Sequence, residues 1–162
     1  AKECCLELNS LSKAHNMAGW RIGMVAAEPE VISEILKVKS QMDSGMFKPL
    51  QVAAVEALSQ GPEWFAELNA EYMRRRVLAG EIFDMLGAEY DHDSTGMFLW
   101  GRVGQAGAEV SDKLLYEAGV FITPGFIFGK NGENYIRISL CSKKEVLKRA
   151  AEKIKAVKRN VM

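Results

Sequence analysis

The sequence predicts a mixed chain, an α/β part followed by a small α+β layer domain. Two features of the apolar pattern carry this reading. Strand-like runs near the N-terminus give way to helical spacing that persists to Leu86. Beyond Gly87 the rhythm changes to short elements in the order strand, helix, strand, strand, helix. The 162 residues suit one ordinary domain or a little more.

Each element has a local reason. Cys4-Cys5-Leu6-Glu7-Leu8 is short and apolar enough for a strand, and Arg21 to Ala27 reads as a second. Pro29 opens a helix through about Gln41, with Val31, Ile35, Leu36 and Val38 roughly on one face. Ser44-Gly45 break it, Pro49 restarts a helix through Leu58, and Gly61-Pro62 end that one. From Glu63 to Leu86 the residues Phe65, Leu68, Tyr72, Val77, Ile82, Phe83 and Leu86 recur at helical steps. Met97 to Val103 reads as a strand, and Glu109 to Glu117 as a helix stopped by Gly119. Val120 to Thr123 and Asn134 to Leu140 read as strands forming an antiparallel pair, with a Gly-Lys-Asn-Gly turn between them. Ser142 caps a final amphipathic helix from Lys143 to about Arg159, with Glu145 completing a capping box.

Composition excludes several function classes. Lys plus Arg equals Asp plus Glu at 21 each, so there is no electrostatic case for nucleic acid or an anionic membrane. Arg74-Arg75-Arg76 reads as a solvated helix face, since no aromatic platform accompanies it. No apolar run approaches the ~20 residues of a membrane span. Cys4, Cys5 and Cys141 are odd in number and form no disulfide framework, which points to reduced thiols and a cytoplasmic setting. Asp91-His92-Asp93 is the one metal-like cluster, but adjacent positions on a strand point to opposite faces, so no metal is expected there.

The chemistry concentrates in Ser10-Leu11-Ser12-Lys13-Ala14-His15-Asn16-Met17-Ala18-Gly19-Trp20-Arg21-Ile22-Gly23. A lysine on a Ser-rich turn after a strand projects from a rigid edge. Its amine can form a Schiff base with an aldehyde, provided part of it is kept neutral. Ser10 offers a hydroxyl donor, and Arg21 a planar, permanently charged fork, the pair of groups that grips a phosphate. Pyridoxal phosphate carries both an aldehyde and a phosphate. Taken alone, Lys13 also reads as a surface lysine with an incidental arginine nearby. His15 reads as a packed or surface histidine and Trp20 as a packing residue.

This run resembles the lysine signature of the class I/II aminotransferases, the fold-type I pyridoxal-phosphate enzymes. The match covers Ser-x-Ser-Lys, the small residues Ala18-Gly19, and Arg21-Ile22-Gly23 in register. The resemblance implies that Lys13 is the Schiff-base and catalytic lysine. It implies that Ser10, Ser12 and Arg21 bind the cofactor with it. A second stretch, Val120-Phe121-Ile122-Thr123-Pro124-Gly125, leads through Phe128-Gly129 to Tyr135-Ile136-Arg137-Ile138-Ser139-Leu140, which is similar to the family's C-terminal pattern. There the arginine holds the substrate α-carboxylate, a role that falls on Arg137. Arg137 interrupts an apolar strand, where an arginine needs an anionic partner or must face water with Tyr135 and Ser139. Gly96-Met97-Phe98 resembles a Gly-x-Phe stretch near the substrate, although Phe98 is first of all a core aromatic.

The family's chains are longer and carry their lysine past the middle. The resemblance therefore implies the C-terminal portion of such an enzyme, with residues 1–73 a remnant of the large cofactor-binding domain and 74–162 the small α+β domain. The aspartate that pairs with the pyridine nitrogen and the aromatic that stacks on the ring precede the lysine in the family, so the portion alone is expected to be inactive. The intact protein is expected to be a homodimeric aminotransferase of amino-acid metabolism, acting between an amino acid and a 2-oxo acid. Two alternatives stand beside it: a carbon–sulfur lyase of the same fold, and a non-enzymatic aminotransferase-like module.

Overall fold

A computed structural model describes residues 3–161, and the side chains of residues 3–157. The chain divides into two compact units, Ala1–Phe65 and Ala66–Met162.

In the first unit, β1 (Glu7–Ser10) and β2 (Gly23–Ala26) pair antiparallel, with Glu7 opposite Ala26 and Ser10 opposite Gly23. The strand expected from Cys4 instead begins at Glu7. Its end is set by chemistry rather than hydropathy. Ser10 is extended and caps the one-turn helix α1 (Leu11–Ala14), its Oγ accepting from the Ser12 N–H at 3.2 Å. A 3₁₀ turn over Ala18–Trp20 returns the chain to β2. A small core of Leu11, Met17 and Ile22 packs with Leu50, Ala53, Ala54 and Ala57 of α3 (Lys48–Leu58). Helix α2 (Pro29–Met42) begins at its proline, as expected, but buries no residue. Leu36 and Val38, expected on an apolar face, are more than half exposed.

Helix α4 (Pro62–Leu86) begins in the first unit and runs into the second. The second unit is built on a four-stranded antiparallel sheet in the order β3 (Glu89–Tyr90), β4 (Phe98–Arg102), β6 (Tyr135–Ser139), β5 (Thr123–Pro124). The expected pair is therefore the outer half of a larger sheet. Between β4 and β5 lies α5 (Gly107–Lys113), which widens into a π turn over Leu114–Ala118 and stops at Gly119 in the left-handed region. Helix α6 (Lys144–Val161) closes the chain. Among the described residues neither Ser142 nor Glu145 makes a side-chain hydrogen bond, so the expected capping box does not form. Lys144 instead reaches toward Glu71, 3.7 Å away.

Side chains alternate across the sheet. Leu99, Ile136, Ile138 and Leu140 turn to a core shared with Ile82 and Phe83 of α4, Val110 of α5, and Leu147 and Ile154 of α6. Phe98, Trp100, Tyr135 and Arg137 lie on the opposite face, with Trp100 directly across from Arg137. The buried face of α4 differs from the expected stripe. Arg76, Ala79, Gly80, Ile82 and Phe83 form it; Ile82 and Phe83 were expected there, while Val77 is 62% exposed. Small residues at 79 and 80 let the sheet approach; a Cβ on Gly80 would stand 2.6 Å from the Tyr90 hydroxyl.

The arginine triplet is likewise not one solvated face. Arg74 is largely exposed, but Arg75 donates to the Leu140 carbonyl at 2.9 Å and to Glu71 at 2.9 Å. The hydrogen bonds from Arg75 and Arg74 hold the Glu71 carboxyl below the usual carboxylate range.

One close approach fixes how α5 meets the sheet. A Cβ on Gly107 would land on the backbone carbonyl of Tyr135, which has no side-chain freedom to yield. Gly107→Ala is expected to lower unfolding stability by about 1–3 kcal/mol, the scale of overpacking. Urea unfolding measures it, and a variant as stable as the parent would show that α5 can shift freely.

Candidate functional sites on the lysine turn and the open sheet face

The first candidate site is the connection between β1 and β2. The hairpin register sets Ser10 opposite Gly23, and the Leu11 N–H donates to the Ile22 carbonyl at 3.3 Å. Two ends of the motif that lie far apart in sequence are thereby neighbours. Lys13 is exposed on α1, in the single turn that Ser10 caps. Arg21 adopts φ 52 and ψ 48, and Asn16 has φ 54; among the described residues these are the non-glycine positions with positive φ, and both fall in this connection. Left-handed backbone at a non-glycine residue costs of order 1–3 kcal/mol and persists where surrounding structure enforces it. Here it turns the Arg21 side chain back over the 3₁₀ turn, where Nη1 donates to the Ala18 carbonyl at 3.1 Å. Its remaining N–H groups have no acceptor among the described residues. Two serine hydroxyls and an arginine fork with spare donors form the donor set a phosphate dianion asks for.

His15 leaves this site. Its ring stacks on Trp64 at 5.8 Å and meets the edge of Phe65 at 5.4 Å, with Nδ1 buried and unpartnered. It is a packed histidine. Trp20, expected to pack, is half exposed.

The second candidate site is the open face of the sheet in the second unit. The Arg137 guanidinium packs against two rings, its carbon 4.3 Å from the centre of Phe98 and 4.1 Å from that of Phe128. Trp100 stacks on Tyr135 at 5.1 Å and meets Phe128 edge-on at 5.7 Å, completing an aromatic wall. A guanidinium against aromatic rings can still offer the N–H groups of its edge, which is where a carboxylate binds in two-point fashion. The Arg137 Nε is buried and has no acceptor. A buried donor without a partner requires an explanation, and an incoming anion supplies one. Arg137 also lines a pocket of about 320 Å³ with Thr123, Ser139, Arg149 and Lys153, whose charged side chains are all cations.

The aromatic partners were misjudged from sequence. Phe98 is not a core residue but half-buried on the open face, and Phe128 entered only as part of a Phe-Gly pair. Alternation from Arg137 across to β4 was the available signal for Phe98, because a residue one pleat from Trp100 shares its face. Asp91-His92-Asp93 lies in a turn, where the Asp93 N–H donates to Asp91 Oδ1 at 2.9 Å. Among the described residues no group of three His, Cys, Asp or Glu could hold a metal ion. No described helix is long and apolar enough to cross a membrane.

Known proteins share this sequence and architecture. Residues 1–154 match the family described as aminotransferase class I and II. An LL-diaminopimelate aminotransferase from Natranaerobius thermophilus is 42% identical over 156 residues, covering 95% of this chain and 40% of that protein. One from Moorella thermoacetica is 38% identical over 159 residues, covering 97% and 41%. The structure of an aromatic aminotransferase from Pyrococcus horikoshii superimposes with a TM-score of 0.85 at 31% identity, covering 99% of this chain and 45% of that one. The BacF structure from Bacillus subtilis, with substrate bound, superimposes with a TM-score of 0.82 at 34% identity, covering 94% and 40%. The chain thus spans about 40% of the length of the curated relatives it matches. The lysine turn and the arginine strand are both inside the matched residues, and the chain belongs to the class I and II aminotransferase family, with the fold of the fold-type I enzymes.

Proposed function

We propose that the protein containing this chain is a pyridoxal-phosphate-dependent aminotransferase that moves an amino group between an amino acid and a 2-oxo acid. The observation that carries this is the lysine turn: an exposed amine on a connection whose hairpin register sets Ser10 opposite Gly23, two residues after the left-handed Arg21. Pyridoxal phosphate, when bound, supplies an aldehyde that condenses with amines and a ring that takes up the electron pair released at the substrate Cα. Ser10, Ser12 and Arg21 hold its phosphate through their hydroxyls and the uncommitted Arg21 N–H groups. Lys13 Nζ would hold the cofactor's aldehyde carbon, and its amine would take the proton from the substrate Cα and return it as a general acid. Arg137 orients the substrate carboxylate along its guanidinium edge while Phe98 and Phe128 exclude water from its faces.

The relatives' names favour amino transfer over carbon–sulfur elimination. They also favour a dicarboxylic amino acid, LL-diaminopimelate being the one named for them. The three exposed cysteines suit a reducing compartment such as the cytoplasm. The uncovered apolar side chains of α2 suit a homodimer.

The test is covalent trapping. The full-length protein is loaded with pyridoxal phosphate, reduced with borohydride and digested. The label is expected on Lys13. Label on another lysine would overturn the assignment.

A further inference from the structure

Arg76 is a buried cation that the proposed reaction does not use. It is 7% exposed, in the middle of α4, and among the described residues it forms no ion pair. Its partners are neutral. Nη1 donates to the Ser94 hydroxyl at 2.8 Å and Nη2 to the Gly96 carbonyl at 2.6 Å, while Nε is buried without a partner. Desolvating a charge to meet two neutral acceptors is costly, and a leucine would fill a helix face more cheaply. What the arginine adds is a rigid fork that grips two points of one loop at once.

That loop leads to the open sheet face. Ser94 and Gly96 precede Met97, which is buried and whose carbonyl accepts from the Leu140 N–H at 2.9 Å. The next residue is Phe98, the ring lying on the Arg137 guanidinium. Gly96 has φ 84, so the loop turns sharply between the gripped carbonyl and the ring. Besides Arg76, the Cys141 thiol reaches this segment from outside it, 3.8 Å from the Met97 sulfur.

We infer that Arg76 is a positioning residue for carboxylate binding: through Ser94 and Gly96 it sets where Phe98 lies, and so the plane in which Arg137 presents its edge. The inference rests on the reading of Arg137 as the carboxylate binder. A small misplacement of a binding group weakens productive binding without removing any reacting group.

The experiment compares full-length variants Arg76→Lys, Ser94→Ala, Ser94→Thr and Arg137→Lys with LL-diaminopimelate as amino donor and 2-oxoglutarate as acceptor. Lys keeps the charge at 76 but cannot span both acceptors. Arg76→Lys is expected to raise KM for both substrates roughly ten-fold, with kcat within about two-fold. Ser94→Ala removes one grip from a loop position and is expected to raise KM about three-fold. Ser94→Thr keeps the hydroxyl and the parental KM. A role confined to stability would lower the melting temperature and leave KM alone. If Arg76→Lys does not fold, Ser94→Ala against Ser94→Thr decides. Parental KM in the folded variants at 76 and 94, while Arg137→Lys raises it, overturns this inference alone. Parental KM in Arg137→Lys overturns the reading beneath it.

Discussion

Replacing Lys13 by alanine in the full-length protein is expected to lower kcat by roughly 10⁴-fold, the upper end of what a positioned acid–base group contributes. The cofactor phosphate should still be held, because Ser10, Ser12 and Arg21 are untouched and the Ser10 cap depends on the backbone N–H of Ser12 rather than on the lysine. The variant should therefore retain bound cofactor yet turn over slowly, which separates loss of chemistry from loss of binding. Steady-state transamination together with the visible absorbance of the dialysed protein measures both. Turnover within about ten-fold of the parent would mean that another group moves the Cα proton.

Arg137→Lys is expected to weaken kcat/KM by about 2–4 kcal/mol, the scale for breaking a desolvated charge pair. An ammonium carries the same charge but has no plane to lay against Phe98 and Phe128, and it cannot offer two parallel N–H groups. The loss should appear for both the amino-acid and the 2-oxo-acid substrate, since both present a carboxylate. Cofactor absorbance should be unchanged. A variant that transaminates like the parent would return Arg137 to the role of an aromatic-packed structural cation.

Much of the lysine turn was legible in the sequence because its information is local. Ser10 as a cap, Lys13 one turn beyond it and Pro29 at a helix start follow from backbone chemistry within a few residues. From β4 onward the element order of the second unit was legible for the same reason, while the two-residue β3 was not. The outer boundaries were not: β1 begins three residues late because pairing to Gly23–Ala26 selects the register, and pairing is not encoded by hydropathy. The face of α4 was legible at Ile82 and Phe83 but not at Arg76, because apolar spacing cannot show that an arginine will be buried. Arg76 reads as a solvated charge until the loop at Ser94 and Gly96 supplies acceptors. Phe98 reads as core until β4 is seen opposite β6 with Trp100 facing Arg137.

By itself, then, the sequence determined the Ser-x-Ser-Lys run, the arginine that follows it, the lone arginine in an apolar strand and the family to which they belong. All of these are matters of residue type at fixed spacing along one chain. Only the tertiary structure decided which aromatic rings pack against that arginine, that Arg21 must adopt a left-handed backbone, and that a buried guanidinium ties α4 to the loop before β4. The contacts of Phe98 with Arg137 and of Arg76 with Gly96 join residues 20 or more positions apart, and they depend on strand register and helix packing, which emerge when the chain closes on itself.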